Sequence, residues 1–200
     1  MSKFITFEGG EGCGKSTQVE LLAEHLRRIG HRVITTREPG GTEGAEEIRE
    51  LLIHGDKEKW DGKQEVLLNF AARMDHVNNL IKPALERGEW VICDRFFDST
   101  YVYQGIAQGV GSEYIDIIRE ASMGGFAPDK TFILDMEVKE SLDRVNSRGE
   151  QNRYDEMDVE FHQKIRAGFL KIAQDNPERC VVINALQDIK KVHEEIVEKL

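Results

Sequence analysis

The chain has 200 residues, enough for one domain that buries a full core without disulfide or metal staples. Hydrophobic residues make up 40% and charged residues 32%, and the net charge of −10 argues against wholesale binding to nucleic acid or an anionic membrane, since both need a cationic field. An anionic small molecule is not excluded, because a few arginines and backbone amides can make one positive pocket in an acidic shell.

Cys13, Cys93 and Cys180 are scattered and odd in number, with no C-x-x-C pair, so they suggest neither a disulfide framework nor a zinc site. Cys93 and Cys180 lie in or beside apolar runs and read as buried thiols. The N-terminus reaches Glu8 too soon to hold a signal-peptide core, and no stretch approaches the ~20 apolar residues that span a bilayer. A cytoplasmic location is therefore expected.

In chain order, residues 3–8 (KFITFE) form an apolar, β-branched run that meets glycines at once, the mark of a buried strand. Residues 14–29 carry Val19, Leu21, Leu22, Leu26 and Ile29 at helical spacing, and Gly30 ends that helix. Residues 32–36 (RVITT) predict a second strand. Thr42 is placed to cap a helix reaching Ile53. A long periodic stretch over 63–87 stops at Gly88, and Pro83 within it predicts a kink or break. Residues 90–93 (WVIC) predict a third strand ending on Asp94, followed by helical segments near 99–106 and 113–123. A fourth strand over 130–134 (KTFIL) ends on Asp135, and 139–146 is helical. The run 147–156 has no apolar periodicity and reads as an excursion over the site. A helix over 158–174, a fifth strand over 180–183 (CVVI) and a closing helix over 188–200 complete the chain.

Strands alternating with helices predict an α/β fold with a doubly wound parallel sheet. No linker, low-complexity segment or repeat divides it, so one domain over 1–200 is expected. Such sheets bind ligands beyond the carboxyl ends of their strands. Glu8, Asp94, Asp135 and the start of Arg37-Glu38-Pro39-Gly40 all fall there, so one crevice can gather them.

Gly9-Gly10-Glu11-Gly12-Cys13-Gly14-Lys15-Ser16, followed by Thr17, matches G-x-x-x-x-G-K-[ST] in full and sits between a strand and a helix. Successive backbone N–H groups there make an anion nest at a helix N-terminus. Lys15 supplies a point charge for β and γ phosphates, and the Ser16 hydroxyl suits Mg²⁺. The loop identifies a nucleotide triphosphate donor but leaves the acceptor open. Beyond it lie Arg37-Glu38-Pro39-Gly40-Gly41-Thr42, then Asp94-Arg95-Phe96 with Ser99, Thr100, Tyr103 and Gln104, then Arg144, Arg148 and Arg153 in or flanking the polar excursion. Phosphoryl transfer between two anions needs preorganised cations, and guanidinium grips phosphate bidentately.

With these segments the chain resembles the thymidylate kinase family, from its first strand to its last helix. The shared pieces are the phosphate loop, R-E-P-G-G-T, D-R-F with Ser99, Tyr103-Gln104-Gly105, and Arg153-Tyr154 leading to Phe161-His162 and Arg166-Ala167-Gly168-Phe169. The resemblance implies a P-loop NTPase three-layer sandwich: a five-stranded parallel sheet, helices on both faces and a short lid over 147–156. It implies ATP and dTMP as substrates, Mg²⁺ as cofactor and a homodimer. Lys15, Arg95, Glu11, Arg148 and Arg153 would be catalytic. Arg37 and Arg95 would hold the dTMP phosphate, with Arg95 bridging donor and acceptor. Arg73, with Gln104 and Thr100, would read the thymine edge. Tyr103 would occupy the space of a ribose 2′-hydroxyl, and Glu11 would lie near the 3′-hydroxyl. Ser16 and Asp94 would organise Mg²⁺, and Ala185 and Leu186 would lie near adenine.

Gly12 stands where one group of the family carries a catalytic arginine, so the charge is expected from the lid, as in the bacterial-type arrangement. The base-stacking aromatic usually lies four residues before the base-reading arginine. Here that position is Asn69, and Phe70 lies three before Arg73; stacking by Phe70 is expected, with a core Phe70 and a base-facing Asn69 as the alternative. Asn152 stands where the family often has Asp before the lid arginine. Rival readings are a kinase of another nucleotide or nucleoside and a nucleotide switch. The switch needs N-K-x-D after a strand, and the fourth strand instead runs into Leu134-Asp135-Met136-Glu137.

Overall fold

Five short apolar runs become five strands in the computed structural model, which describes residues 3–56, 58–147, 154 and 157–200. They are β1 (Phe4–Glu8), β2 (Val33–Arg37), β3 (Trp90–Asp94), β4 (Lys130–Asp135) and β5 (Cys180–Asn184). Around them run α1 (Lys15–Arg28), α2 (Glu43–Ile53), α3 (Gly62–His76), α4 (Lys82–Glu86), α5 (Phe97–Thr100), α6 (Ser112–Met123), α7 (Val138–Asn146), α8 (Val159–Asp175) and α9 (Ile189–Glu198). Every strand pair is parallel, in the order β2-β3-β1-β4-β5. Parallel neighbours require crossovers, so helices cover both faces and the central strands are buried on both.

Strand alternation divides the core into layers. Ile5, Phe7, Ile92, Phe132, Leu134 and Ile183 face α1 and α9, meeting Val19, Leu22, Leu26, Val192 and Ile196. On the opposite face Phe4, Val91 and Cys93 pack with Val66 and Phe70 of α3 and Ile115 and Met123 of α6. Ile133 packs there with Val102 and Tyr103 under Phe161, Ile165 and Phe169 of α8. This is the expected three-layer α/β sandwich.

Two of the predicted helices differ in form. The 63–87 stretch divides into α3, a π-helical turn over Val77–Ile81, and α4, which carries Pro83 in its first turn. Proline has no N–H and its ring crowds the carbonyl four residues back, so the chain widens just upstream of it. Likewise α5 runs into a π-helical turn over Tyr101–Ala107, which places Tyr103 and Gln104. The Thr42 hydroxyl does not cap α2; it donates to Asp75 Oδ2 at 2.5 Å and ties α2 to α3.

Candidate active site

The phosphate loop forms because β1 ends buried at Glu8 and α1 starts at Lys15, leaving the loop amides at a helix N-terminus. Lys15 Nζ donates to the carbonyls of Gly10 at 2.7 Å and Gly9 at 3.2 Å, inside a cavity of about 390 Å³. Gly12, Gly14, Ser16, Thr17, Arg37 and Asp94 also line it. Cys13 is buried and its thiol donates to Gly10 O at 3.0 Å, bracing the loop from below. The Ser16 hydroxyl donates to Asp94 Oδ2 at 2.7 Å. These two hard oxygen donors fit Mg²⁺, which keeps several waters and shares phosphate oxygens. Among the described residues no group of three or more His, Cys, Asp and Glu forms a protein cage for a metal.

Gly12 has φ 71°, and a Cβ there would lie 2.5 Å from the Ser141 carbonyl oxygen. The cause is α7, whose Ser141 hydroxyl also donates to the Glu11 carbonyl. A side chain at position 12 would therefore meet the backbone of α7 in a conformation that L-residues rarely adopt.

Arg95 is the structural hinge of the site. Among the described residues it is the non-glycine residue with positive φ, at 70°, a conformation that L-residues rarely adopt outside constrained sites. Its backbone N–H bonds Phe7 O at 2.8 Å, and its guanidinium reaches Gly9 O at 3.0 Å, Ser99 Oγ at 3.1 Å and Glu11 Oε1 at 2.8 Å. The guanidinium also lies over the Tyr103 ring at 5.1 Å, and the Tyr103 hydroxyl donates to the same Glu11 oxygen at 2.9 Å. Burial alone would raise the Glu11 carboxyl, but the charges of Arg95 and Lys15 and the Tyr103 hydrogen bond outweigh it and hold it at about 2. Burial also pushes the Tyr103 hydroxyl well above its ordinary value, so it remains a donor.

Glu8 braces this group from behind. Its fully buried carboxylate accepts Phe96 N–H at 2.8 Å, Ser99 N–H at 3.2 Å and the Ser99 hydroxyl at 2.6 Å. Burial, then the neighbouring Asp98 carboxylate, pushes Glu8 up to about 7 against the pull of Arg95 and these hydrogen bonds.

A second cavity of about 140 Å³ opens between the 37–42 segment, α2, α3 and the π turn. Pro39, Asn69, Ser99, Thr100, Tyr103 and Gln104 line it. At its edge Arg73 is 2% exposed, with Nε donating to Glu38 Oε2 at 2.6 Å and both terminal nitrogens 3.3 Å from Thr100 Oγ1. Glu38 Oε1 pairs with His76 Nδ1 at 3.0 Å. The two cavities share Glu11, Glu38, Arg49 and Arg95, so the phosphate loop and the second pocket form one cleft with Arg95 and Glu11 at the junction.

The family model described as thymidylate kinase matches residues 7–196. The chain belongs to the thymidylate kinase family. It is similar to a thymidylate kinase of Caulobacter vibrioides, 48% identical over 189 residues that cover 94% of this chain and 91% of the relative. A thymidylate kinase of Rhizorhabdus wittichii is 45% identical over 200 residues, covering 99% and 96%. The crystal structure of thymidylate kinase from Ehrlichia chaffeensis superposes with a TM-score of 0.80 at 40% identity, covering 99% of this chain and 98% of that one.

Against the thymidylate kinase expectations, the cleft gathers Glu11, Lys15, Ser16, Thr17, Arg37, Asp94, Arg95, Ser99, Thr100, Tyr103 and Gln104. Arg37 is half-exposed and paired with Glu46 at 2.9 Å. Ala185 is buried against the α1 and α9 layer, and Leu186 beside it is 46% exposed. Phe70 lies elsewhere: it is 1% exposed, packed in the core with the Arg73 guanidinium over its ring at 4.7 Å, while Asn69 faces the cavity. Helix phase is the reason. Val66 and Phe70 share the buried stripe of α3, which Val77 continues in the π turn, and one residue of rotation turns position 69 toward the cleft. Arg148, Asn152 and Arg153 lie outside the described residues. Glu38 was legible only as part of the R-E-P-G-G-T segment, with no role of its own, and Arg49 was not singled out by the sequence. Arg49, whose Nη1 donates to Pro39 O at 2.8 Å, was signalled only by lying four residues after the inward-facing Ala45.

Proposed function

We propose that this chain transfers the γ-phosphoryl group of ATP to dTMP, giving ADP and dTDP. The observation that carries the reading is the joined cleft: a phosphate-loop cavity and a base-sized cavity that meet at Arg95 and Glu11. A dTMP oxygen attacks in line, and that oxygen is already ionised because the second phosphate pKa is about 6. Glu11, held near 2, is a poor proton acceptor, which suits a reaction that needs no general base. Its part is to fix Arg95 and Tyr103, and by resemblance to lie near the sugar 3′-hydroxyl. Lys15 and Arg95 stabilise the charge of the transferred group, and Arg148 and Arg153 supply the charge that Gly12 cannot. Ser16 and Asp94 would hold Mg²⁺, which neutralises phosphate charge when bound.

The base lies beside Asn69, within reach of Arg73, Thr100 and Gln104, and Tyr103 closes the space of a 2′-hydroxyl. The lid over 147–156 closes to exclude water from ATP. The chain acts as a cytoplasmic homodimer of single-domain subunits. Leu67 and Met74, both exposed on one face of α3, support an apolar contact there. Among the described residues no helix is long and apolar enough to cross a membrane. A coupled spectrophotometric assay across nucleoside monophosphates tests the reading: dTMP should give the highest kcat/KM, and a preference for UMP or dCMP would overturn it.

A further inference from the structure

Glu65 lines neither cavity of the cleft, yet it is a carboxylate only 1% exposed. It lies in the first turn of α3, where a capping box between Asp61 and Gln64 fixes the start of the helix. Four-residue spacing puts Glu65, Asn69 and Arg73 on one stripe of that helix, beside the base-sized cavity. Three donors converge on Glu65 Oε2: Gln104 Nε2 at 2.7 Å and Gln108 Nε2 at 2.9 Å, from the π turn and its C-terminal end, and the Tyr154 hydroxyl at 3.0 Å from a distant segment.

A carboxylate has no hydrogen to give, so each carboxamide must turn its NH₂ toward it. The cost of this is visible at Gln108, whose Oε1 is buried without a partner among the described residues. Gln104 is held in the same way, but it also lines the cavity. With its nitrogen committed to Glu65, the group Gln104 can present to a base is its oxygen, an acceptor. A pyrimidine-2,4-dione carries a donor at N3–H between two carbonyls, whereas cytosine carries an acceptor at N3. An oxygen fixed in front of N3 accepts from the first and repels the second.

We infer that Glu65 is a specificity-determining positioning residue: by orienting the Gln104 carboxamide it makes the pocket read the N3–H of thymine. The inference rests on the dTMP reading of the cleft and adds to it the group that sets the polarity of base recognition. Tyr154, in the 147–156 segment, donates to the same oxygen, so the lid region and the base reader share one anchor.

The test is Glu65→Gln, which keeps the shape but places a donor at position 65 and lets Gln104 turn its nitrogen toward the base. Steady-state kinetics with dTMP and with 5-methyl-dCMP are compared, since the two share the 5-methyl group and differ at N3 and C4. The expected result is a preference for dTMP that narrows by about tenfold or more, through a raised dTMP KM, with kcat and the KM for ATP held within about threefold. An unchanged preference, whether or not both rates fall together, overturns the inference and leaves the dTMP reading standing. Wild-type enzyme that does not prefer dTMP at all removes the substrate reading and this inference with it. Should the variant fail to fold, binding of 3-methylthymidine monophosphate to the wild-type enzyme decides. It should be at least about tenfold weaker than dTMP, and equal binding overturns the inference.

Discussion

Replacing Arg73 with methionine should cost both stability and dTMP affinity, and the structure sets the size of each. The Arg73–Glu38 pair is 2.6 Å long with side chains 3% and 2% exposed, so neither charge has water to fall back on. Removing one partner of such a pair leaves an uncompensated buried charge, at about 3–5 kcal/mol. His76 still contacts Glu38 at 3.0 Å, which favours the lower end of that range. For a chain of 200 residues a loss of about 3 kcal/mol lowers Tm by roughly 6–12 °C. Urea and thermal denaturation of Arg73→Met measure this, and Glu38→Gln added to it should recover a good part of the loss, because both charges are then gone. The dTMP KM should rise about 10- to 100-fold with a smaller change in kcat, the mark of a residue that binds the base in ground and transition states alike. A loss under about 1 kcal/mol, or a double variant no more stable than the single, would refute the buried-pair reasoning.

Arg95→Ala should lower kcat about a thousandfold with the fold retained, measured by steady-state kinetics and circular dichroism, because the charge at the junction of the two cavities is gone. Arg148→Ala and Arg153→Ala combined should reduce kcat by about a hundredfold or more; full turnover would remove the lid assignment while leaving the phosphate loop intact. Glu8 gives a pH signature. Its folded value near 7 lies above the ordinary 4.5, so its contribution to stability is fully present below about 4.5 and lost as pH rises through 7. That shift corresponds to about 3 kcal/mol, and Glu8→Gln should flatten the fall in urea stability between pH 5 and 8. Parallel slopes for variant and wild type would show that Glu8 does not titrate there.

The strands and the phosphate loop were legible in the sequence because their signals are local. A β-branched run meeting glycines, or G-K-S at a helix start, depends on few distant residues. Boundaries moved by about a residue, as with β2, which runs Val33–Arg37 where 32–36 was expected, while β3 ends on Asp94 as read. The pocket was legible as a set of residues but not as a set of contacts. Arg73 pairs with Glu38, 35 positions away, and Glu65 gathers donors 39, 43 and 89 positions away. No pattern in the sequence registers such distances. Which of Phe70 and Asn69 faces the cavity is a matter of helix phase, about 100° per residue, set by the face of α3 that packs in the core. The π turn carrying Tyr103 and Gln104 has no sequence signal at all.

Arg95 lines both cavities, and a ternary crystal structure with dTMP and a non-hydrolysable ATP analogue measures directly whether it joins donor and acceptor. The expected result places the dTMP phosphate and the γ-phosphoryl group on either side of the Arg95 guanidinium, each within about 3 Å, with the base beside Asn69 and Gln104. A dTMP molecule bound away from that cleft, or an Arg95 that contacts neither phosphate, would contradict it.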